Sequence, residues 1–335
     1  MPLPLSDWLL RIQQQHPQAI AMGLERVRAV AEAMGLAPKP APLVITVGGT
    51  NGKGSTVAFL EAIARAAGLR VGAYTSPHLW HFNERIRIDG VDASDDALVA
   101  AFERIDAARG DTPITYFEYA TLAAFDLFER TRLDLAILEV GLGGRLDATN
   151  LIDADVAVIT TVDLDHMAYL GPDRESIGAE KAGILRAGKI AVLGEKDPPS
   201  SVLRRAYALG AVAIRGHSDY LIDRFDSHWV WREPGFQLEL PYPALAAPMQ
   251  VDNAAAAVAA LRACALPISD DAFARGVAEA RVPGRLQRIA EAPETEADRR
   301  GGRRPGRQGH RGCRRAAGPA SRGVASGPDH GRGSA

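Results

Sequence analysis

The run Gly48-Gly49-Thr50-Asn51-Gly52-Lys53-Gly54 sets four glycines and one lysine between two apolar stretches. Glycines let backbone N–H groups close around phosphate oxygens, and Lys53 adds a full positive charge. A helix opening at Ser55 would add the partial positive charge of its N-terminus. This is nucleotide-phosphate chemistry. The run departs twice from the general pattern G-x-x-x-x-G-K-[ST]. Val47 stands where the first glycine would be, and Gly54 separates Lys53 from Ser55.

Three further groups lie just past apolar runs: Ser76 in Ser76-Pro77-His78, Glu139 before Gly141-Leu142-Gly143-Gly144, and His166 after Asp163 and Asp165. If the runs are parallel strands, their C-terminal ends share one sheet edge, where ligands bind. Oxygen ligands with one imidazole beside ATP phosphates suit Mg²⁺. Singly, each has a plainer reading: a strand-end carboxylate as a solvated cap, a lone histidine as structural. By pattern, Lys181 is a solvated mid-helix lysine, Asn253 an N-cap and Arg285 a loop arginine.

The elements that must position these groups follow from periodicity. Leu43 to Val47 reads as a buried strand, and the stretch from Ser55 to Gly68 as a helix with Val57, Leu60, Ile63 and Ala64 on one face. Strands follow at Val71–Tyr74, Leu133–Glu139, Val156–Val162 and Ile190–Leu193. Helices are expected from Ser94 to about Arg109, over Tyr116–Arg130 and over Glu175–Arg186. Asp89-Gly90 signals a hairpin after Arg85–Ile88, and Glu233-Pro234-Gly235 another between Trp229–Trp231 and Phe236–Leu240. Two helices close the pattern, Asn253–Cys264 and one from Ser269 to about Ala280. Strands alternating with helices imply an α/β fold with a parallel sheet.

The chain has 335 residues, a formal net charge of −2 and 47% hydrophobic residues. Near-neutral charge argues against a generic nucleic-acid binder. No window approaches the roughly 18 apolar residues of a membrane span. Residues 1–10 lack a basic region and a long apolar run, so no signal peptide is expected. Cys264 and Cys313 cannot build a disulfide framework or a cysteine-based zinc site. A cytoplasmic location is expected. The average hides a break: residues 295–335 hold ten Arg, ten Gly, three acids and no Ile, Leu, Met or aromatic residue. That tail carries +7 and residues 1–294 carry −9. Such a composition is expected to be disordered; an RNA-binding tail is the alternative.

Several longer segments carry a resemblance. They are Met22-Gly23-Leu24-Glu25-Arg26-Val27, Ser76-Pro77-His78-Leu79, Glu84-Arg85-Ile86-Arg87, Thr115-Tyr116-Phe117-Glu118-Tyr119, Leu164-Asp165-His166 and Gly171-Pro172-Asp173-Arg174-Glu175-Ser176-Ile177. The most specific is Leu138-Glu139-Val140-Gly141-Leu142-Gly143-Gly144-Arg145-Leu146-Asp147-Ala148-Thr149-Asn150. With the loop at 49–55, these resemble the dihydrofolate synthase / folylpolyglutamate synthase family of the Mur ligase superfamily, over about residues 5 to 290. Tyr116-Phe117-Glu118-Tyr119 favours this folate branch over ligases of peptidoglycan precursors.

The resemblance implies an ATP-dependent ligase that joins L-glutamate to dihydropteroate, or to the γ-carboxylate of folates, through an acyl phosphate. It implies ATP binding by Asn51, Gly52, Lys53, Gly54 and Ser55, with Asn253 and Arg285 contacting ATP from the C-terminal side. It implies two Mg²⁺ ions held through Ser76, Glu139 and His166. Lys181 matches a carbamylated lysine that acts with Lys53 in catalysis. Ile20, Ala21, Met22, Thr115, Tyr116, Phe117, Glu118, Leu146, Asp147 and Ala148 match pterin-site positions. The partners implied are small molecules, and the chain is expected to be a monomer.

The expected organisation is an ATP-binding domain over 1–265 with a small hairpin region near 218–240, the start of a C-terminal domain over 266–294, and the tail from 295. The match stops at about Glu294, before the family's Asp-Val-Ala-His-Asn-Pro segment. An abrupt Arg/Gly-rich tail fits a gene read in the wrong frame. A truncated product that binds nucleotide or pterin without turnover is therefore a second reading.

Overall fold

The computed structural model describes residues 3–16, 20–245 and 247–282. Two helices, α1 (Leu5–Gln15) and α2 (Glu25–Ala33), precede the central strand β1 (Leu43–Gly48). The chain then runs α3 (Lys53–Ala66), β2 (Val71–Tyr74), β3 (Ile86–Ile88), β4 (Val91–Asp92), α4 (Asp95–Arg109), α5 (Tyr116–Thr131) and β5 (Leu135–Glu139). Next come β6 (Val156–Ile159), α6 (Met167–Leu170), α7 (Arg174–Lys181), β7 (Ile190–Leu193), α8 (Ser200–Ala208) and β8 (Val212–Arg215). The described chain finishes with β9 (Leu221–Arg224), β10 (His228–Glu233), β11 (Phe236–Pro241), α9 (Gln250–Ala263) and α10 (Asp270–Glu279).

The main sheet has the order β4-β3-β2-β5-β1-β6-β7-β8. β2, β5, β1, β6, β7 and β8 pair in parallel, and β3–β4 adds an antiparallel hairpin at one edge. Its inner strands β1, β2, β5, β6 and β7 are mainly apolar and buried because helices cover both faces. Side chains alternate: Ile45, Val47, Leu135 and Ile137 face α3 and α9, whereas Val44, Ala136 and Leu138 face the side of α1, α2, α4 and α5. Ala157, Ile159, Ala191 and Leu193 form a third cluster with Ile177 and Val202 of α7 and α8. β9–β11 form a separate antiparallel sheet, whose Trp229, Trp231, Leu238 and Leu240 join the core cluster shared with α9, with β11 packing on α10. Of the residues expected to open a C-terminal domain, α10 packs on α3, with Gly276 against the Ile63 backbone.

Several boundaries differ from those expected. α3 starts at Lys53, two residues before Ser55, because Gly52 takes a left-handed conformation (φ +87°) and turns the chain into the helix early. α7 ends at Lys181, and residues 182–184 tighten into a 3₁₀ turn, so Lys181 terminates a helix. Gly183 there lies directly against the Arg145 backbone, where a continuing side chain has no room. α9 starts at Gln250, so Asn253 sits inside its first turn and is not an N-cap. α1, α2, α6, α8, β8 and β9 had no counterpart in the periodicity reading.

Candidate active site

A cavity of about 860 Å³ opens along the C-terminal edge of the sheet. β1 delivers Thr50 to Ser55, β2 delivers Ser76 and Pro77, and β5 delivers Glu139, Gly141 and Leu142. His166 follows β6. The other wall comes from Ile20 to Gly23, from Thr115, Phe117 and Glu118 at the start of α5, and from Leu146 to Ala148. Asn253 enters from α9. Three expected residues are not on this lining. Tyr116 packs its ring edge-on against Phe82 (5.7 Å), Lys181 lies behind the wall, and Arg285 is outside the described residues.

At the phosphate-loop end, the first-turn amides of α3 have no intrahelical acceptor and supply donors to an anion. The Lys53 ammonium donates to its own loop, to Gly49 O (3.0 Å) and Thr50 O (3.2 Å). A Cβ at Gly52 would run into the Asn253 side chain, so glycine is required there for both backbone and space. Asn253 is held by its amide, which donates to Gln250 Oε1 (3.0 Å).

The Glu139 carboxylate is 5% exposed and accepts from Ser76 N (3.2 Å). A Cβ built on Gly54 would stand 3.6 Å from Glu139 Oε2, so the carboxylate lies against the first turn of α3. His166 is in the left-handed region (φ +48°), with its side chain half exposed and Nε2 3.7 Å from Asp165 Oδ2. Among the described residues, no three His, Cys, Asp or Glu cluster as a metal cage. Ser76, Glu139 and His166 line the same cavity and offer a hydroxyl, a carboxylate and an imidazole, donor types a small hard cation accepts alongside phosphate and water oxygens. Lys181 is 3% exposed, contrary to its pattern reading. Burial, reinforced by the nearby Lys53 charge and opposed by Asp165, lowers its pKa to about 8.

The opposite end is held differently. Thr115 and Glu118 cap α5 reciprocally: Thr115 N donates to Glu118 Oε2 (2.7 Å), and Glu118 N donates to Thr115 Oγ1 (3.2 Å). Glu118 Oε1 also pairs with Arg26 (3.0 Å), whose guanidinium donates to Ala21 O (2.9 Å). This chain of contacts fixes residues 21–23 over the cavity. Asp147 accepts from Leu142 N (2.8 Å), Thr149 N (3.0 Å) and Thr149 Oγ1 (2.7 Å), so its carboxylate braces its own loop. Burial raises its pKa against those bonds.

Arg85 also lines the cavity, although nothing in its sequence context assigns it there. Its Nε donates to His78 Nδ1 (2.8 Å), and its guanidinium lies 5.5 Å from the Tyr116 ring centre and 5.7 Å from that of Phe82. Burial and the Arg85 charge keep His78 below its ordinary pKa, which preserves it as an acceptor. Met249 and Gln250 reach the lining from α9 and its N-cap; the periodicity reading missed them because it started α9 three residues late.

A phosphate loop at the end of a central parallel strand, opening on a second binding wall from outside the sheet, is the plan of a Mur-type ATP-dependent ligase domain. Residues 47–261 match the Mur ligase middle domain family. The chain belongs, more narrowly, to the dihydrofolate synthase/folylpolyglutamate synthase family. It is 49% identical to the dihydrofolate synthase/folylpolyglutamate synthase of Escherichia coli (strain K12) over 296 residues, 88% of this chain and 69% of the relative. A solved structure of E. coli FolC in complex with DHPP and ADP superposes with a TM-score of 0.83 at 49% identity, covering 87% of this chain and 69% of that one. A bifunctional folylpolyglutamate synthase/dihydrofolate synthase with Mn, AMPPNP and L-glutamate bound gives 0.80 at 49% identity, covering 86% and 69%.

Proposed function

We propose that this site joins L-glutamate to dihydropteroate and to the γ-carboxylate of folates, at the expense of ATP. The observation that carries the reading is a single cavity lined at one end by the phosphate loop and at the other by residues 20–22, 115–118 and 146–148. A carboxylate is a poor electrophile. Its oxygen attacks the γ-phosphorus of ATP, the bond to the β-phosphate breaks, and ADP leaves. The glutamate amine then attacks the acyl phosphate carbon, the C–N bond forms, and inorganic phosphate departs with the amine losing a proton.

The chain's own part is positioning and charge neutralisation. The α3 amides and Lys53 take up charge on the moving phosphoryl group. Ser76, Glu139 and His166 would hold Mg²⁺, and two such ions are proposed. When bound, the metal supplies Lewis-acid neutralisation of phosphate oxygens. Met22, Phe117, Leu142 and Leu146 offer apolar surface to a flat pterin, and Arg85 is a fixed cation for a substrate carboxylate. A second cavity of about 410 Å³ shares Asn253 and Met249 with the first and gives the nucleoside end of ATP somewhere to extend. Lys181 as a carbamate would replace a buried cation with an anion beside Lys53; its lowered pKa favours the neutral amine that reacts with CO2.

The test is ATP- and glutamate-dependent formation of dihydrofolate from dihydropteroate by the purified chain, with MgADP and dihydropteroate binding measured alongside. Product formation is the expected result. Binding of both ligands without product would restrict the chain to the binding reading, and binding of neither would overturn the site. Glu139→Ala is expected to remove the Mg²⁺ dependence of ADP binding; unchanged dependence would take Glu139 out of the metal site.

A further inference from the structure

The phosphate loop is stitched to the chain leaving β6. Thr160 N donates to Gly48 O (2.9 Å), and its hydroxyl is placed for Asn51 O (2.6 Å) and Gly48 O (3.2 Å). Thr161 Oγ1 accepts from Asn51 N (3.0 Å), and Thr161 O accepts from Thr50 N (2.7 Å). Thr50 Oγ1 in turn meets both the N (3.0 Å) and O (3.1 Å) of Asp163. We propose that Thr160 and Thr161 are positioning residues of the phosphate loop, setting which of its amides face the nucleotide.

The physical reason lies in the ladder. β1 and β6 pair in parallel as far as Gly48 and Ile159. Beyond Gly48 the loop curls away, so its amides and carbonyls lose strand partners. The hydroxyls of Thr160 and Thr161, with the Thr161 carbonyl, replace those partners. The fit is steric as well: a Cβ at Gly49 (φ +144°) would occupy the place of Thr160 Oγ1. That glycine therefore makes room for a threonine. The Thr50 and Asn51 amides are used within the stitch, which leaves phosphate to the first turn of α3. Three residues after Asp163 the chain reaches His166, so seating the loop also fixes the approach to His166.

The inference rests on the nucleotide reading. The probe is MgADP titrated calorimetrically into the full chain, with dihydropteroate affinity measured in parallel. Thr160→Val should weaken MgADP by about 5–10-fold, because Asn51 O loses its 2.6 Å bond and keeps only Thr161 Oγ1 at 3.2 Å, the range for losing one net hydrogen bond. Thr160→Ser should restore binding to within about threefold, because it keeps the same hydroxyl-to-carbonyl bond. Thr161→Val, at a half-buried site, should weaken MgADP in the same direction and guards against misfolding of the first variant. Thr131→Val removes a similar hydroxyl-to-carbonyl bond (2.6 Å) at the far end of α5 and should leave MgADP unchanged. Dihydropteroate affinity should stay constant throughout. Folded valine variants that bind MgADP like the wild type would overturn the proposal, as would equal losses for both ligands. A wild-type chain that binds no MgADP would remove the nucleotide reading and this inference with it.

Discussion

Gly52→Ala tests whether the geometry at the start of α3 makes the nucleotide site. Gly52 has φ +87°, and a Cβ there would meet the Asn253 side chain. Left-handed backbone costs a non-glycine residue roughly 1–2 kcal/mol. Pushing Asn253 aside breaks its bond to Gln250 (3.0 Å), worth about 0.5–1.5 kcal/mol. The sum, roughly 2–3 kcal/mol, is relieved if the free loop relaxes, and must be returned when the nucleotide demands the native loop. At tenfold per 1.4 kcal/mol, MgADP affinity should fall about 30–150-fold. Gly68→Ala is the matched control: φ is +82°, nothing lies near its Cβ, and it sits past the other end of the same helix. It should lower Tm by a few degrees and leave MgADP affinity within about twofold, since the strain lies far from the loop. Calorimetric titration of both variants decides. Gly52→Ala binding MgADP within about threefold of wild type would refute the reasoning, because strain at this position would then not be felt by the ligand.

Two further outcomes follow from the same geometry. With its pKa lowered to about 8, Lys181 should hold far more neutral amine near neutral pH than an ordinary lysine; at low, fixed dissolved CO2, a ¹³C-carbamate signal lost in Lys181→Met should rise about a hundredfold per pH unit well below pH 8 and about tenfold per unit above it until the site saturates, because the ammonium loses one proton and carbamate formation releases a second. The steeper rise persisting to pH 9.5 would mean an ordinary lysine. Arg26→Ala leaves Glu118 buried with its capping bond but no cation, a loss of roughly 1–3 kcal/mol, below the fully buried range because Arg26 is partly exposed. Dihydropteroate affinity should drop by about tenfold or more with MgADP unchanged, and equal losses of both would show that Arg26 merely supports the fold.

The phosphate loop was legible because its chemistry restricts residue types: only glycine tolerates the conformations at 49 and 52, and only a cation serves at 53. The buried strands were legible because burial on both faces leaves continuous apolar runs, as at Leu43–Val47 and Ile190–Leu193. β8 and β9 escaped because no residue of either is fully buried. Lys181 departs from its pattern reading, since helix spacing cannot show that the folded chain buries it beside Lys53. Arg85 lies in the Glu84–Arg87 segment that carries the resemblance, yet nothing local to it points to the cavity. Its place in the cavity depends on His78, on Phe82 in the turn before β3 and on Tyr116 at the start of α5, which only the folded chain brings together.

The two ends of the cavity also differ in what holds them, and that difference makes the proposed roles separable. The nucleotide end is built on the sheet: β1, β5 and β6 place Lys53, Glu139 and His166, and the strand ladder resists their displacement. The pterin end comes from a loop and a helix start outside the sheet, tied by one Arg26–Glu118 pair and a capping box. Changes at Thr160, Thr161 or Gly52 should therefore reach nucleotide first, and changes at Arg26 should reach pterin first. Asn253 touches the loop from a third direction, α9, and borders both cavities. Its displacement is the one perturbation expected to move phosphate and nucleoside contacts together while leaving the pterin end intact.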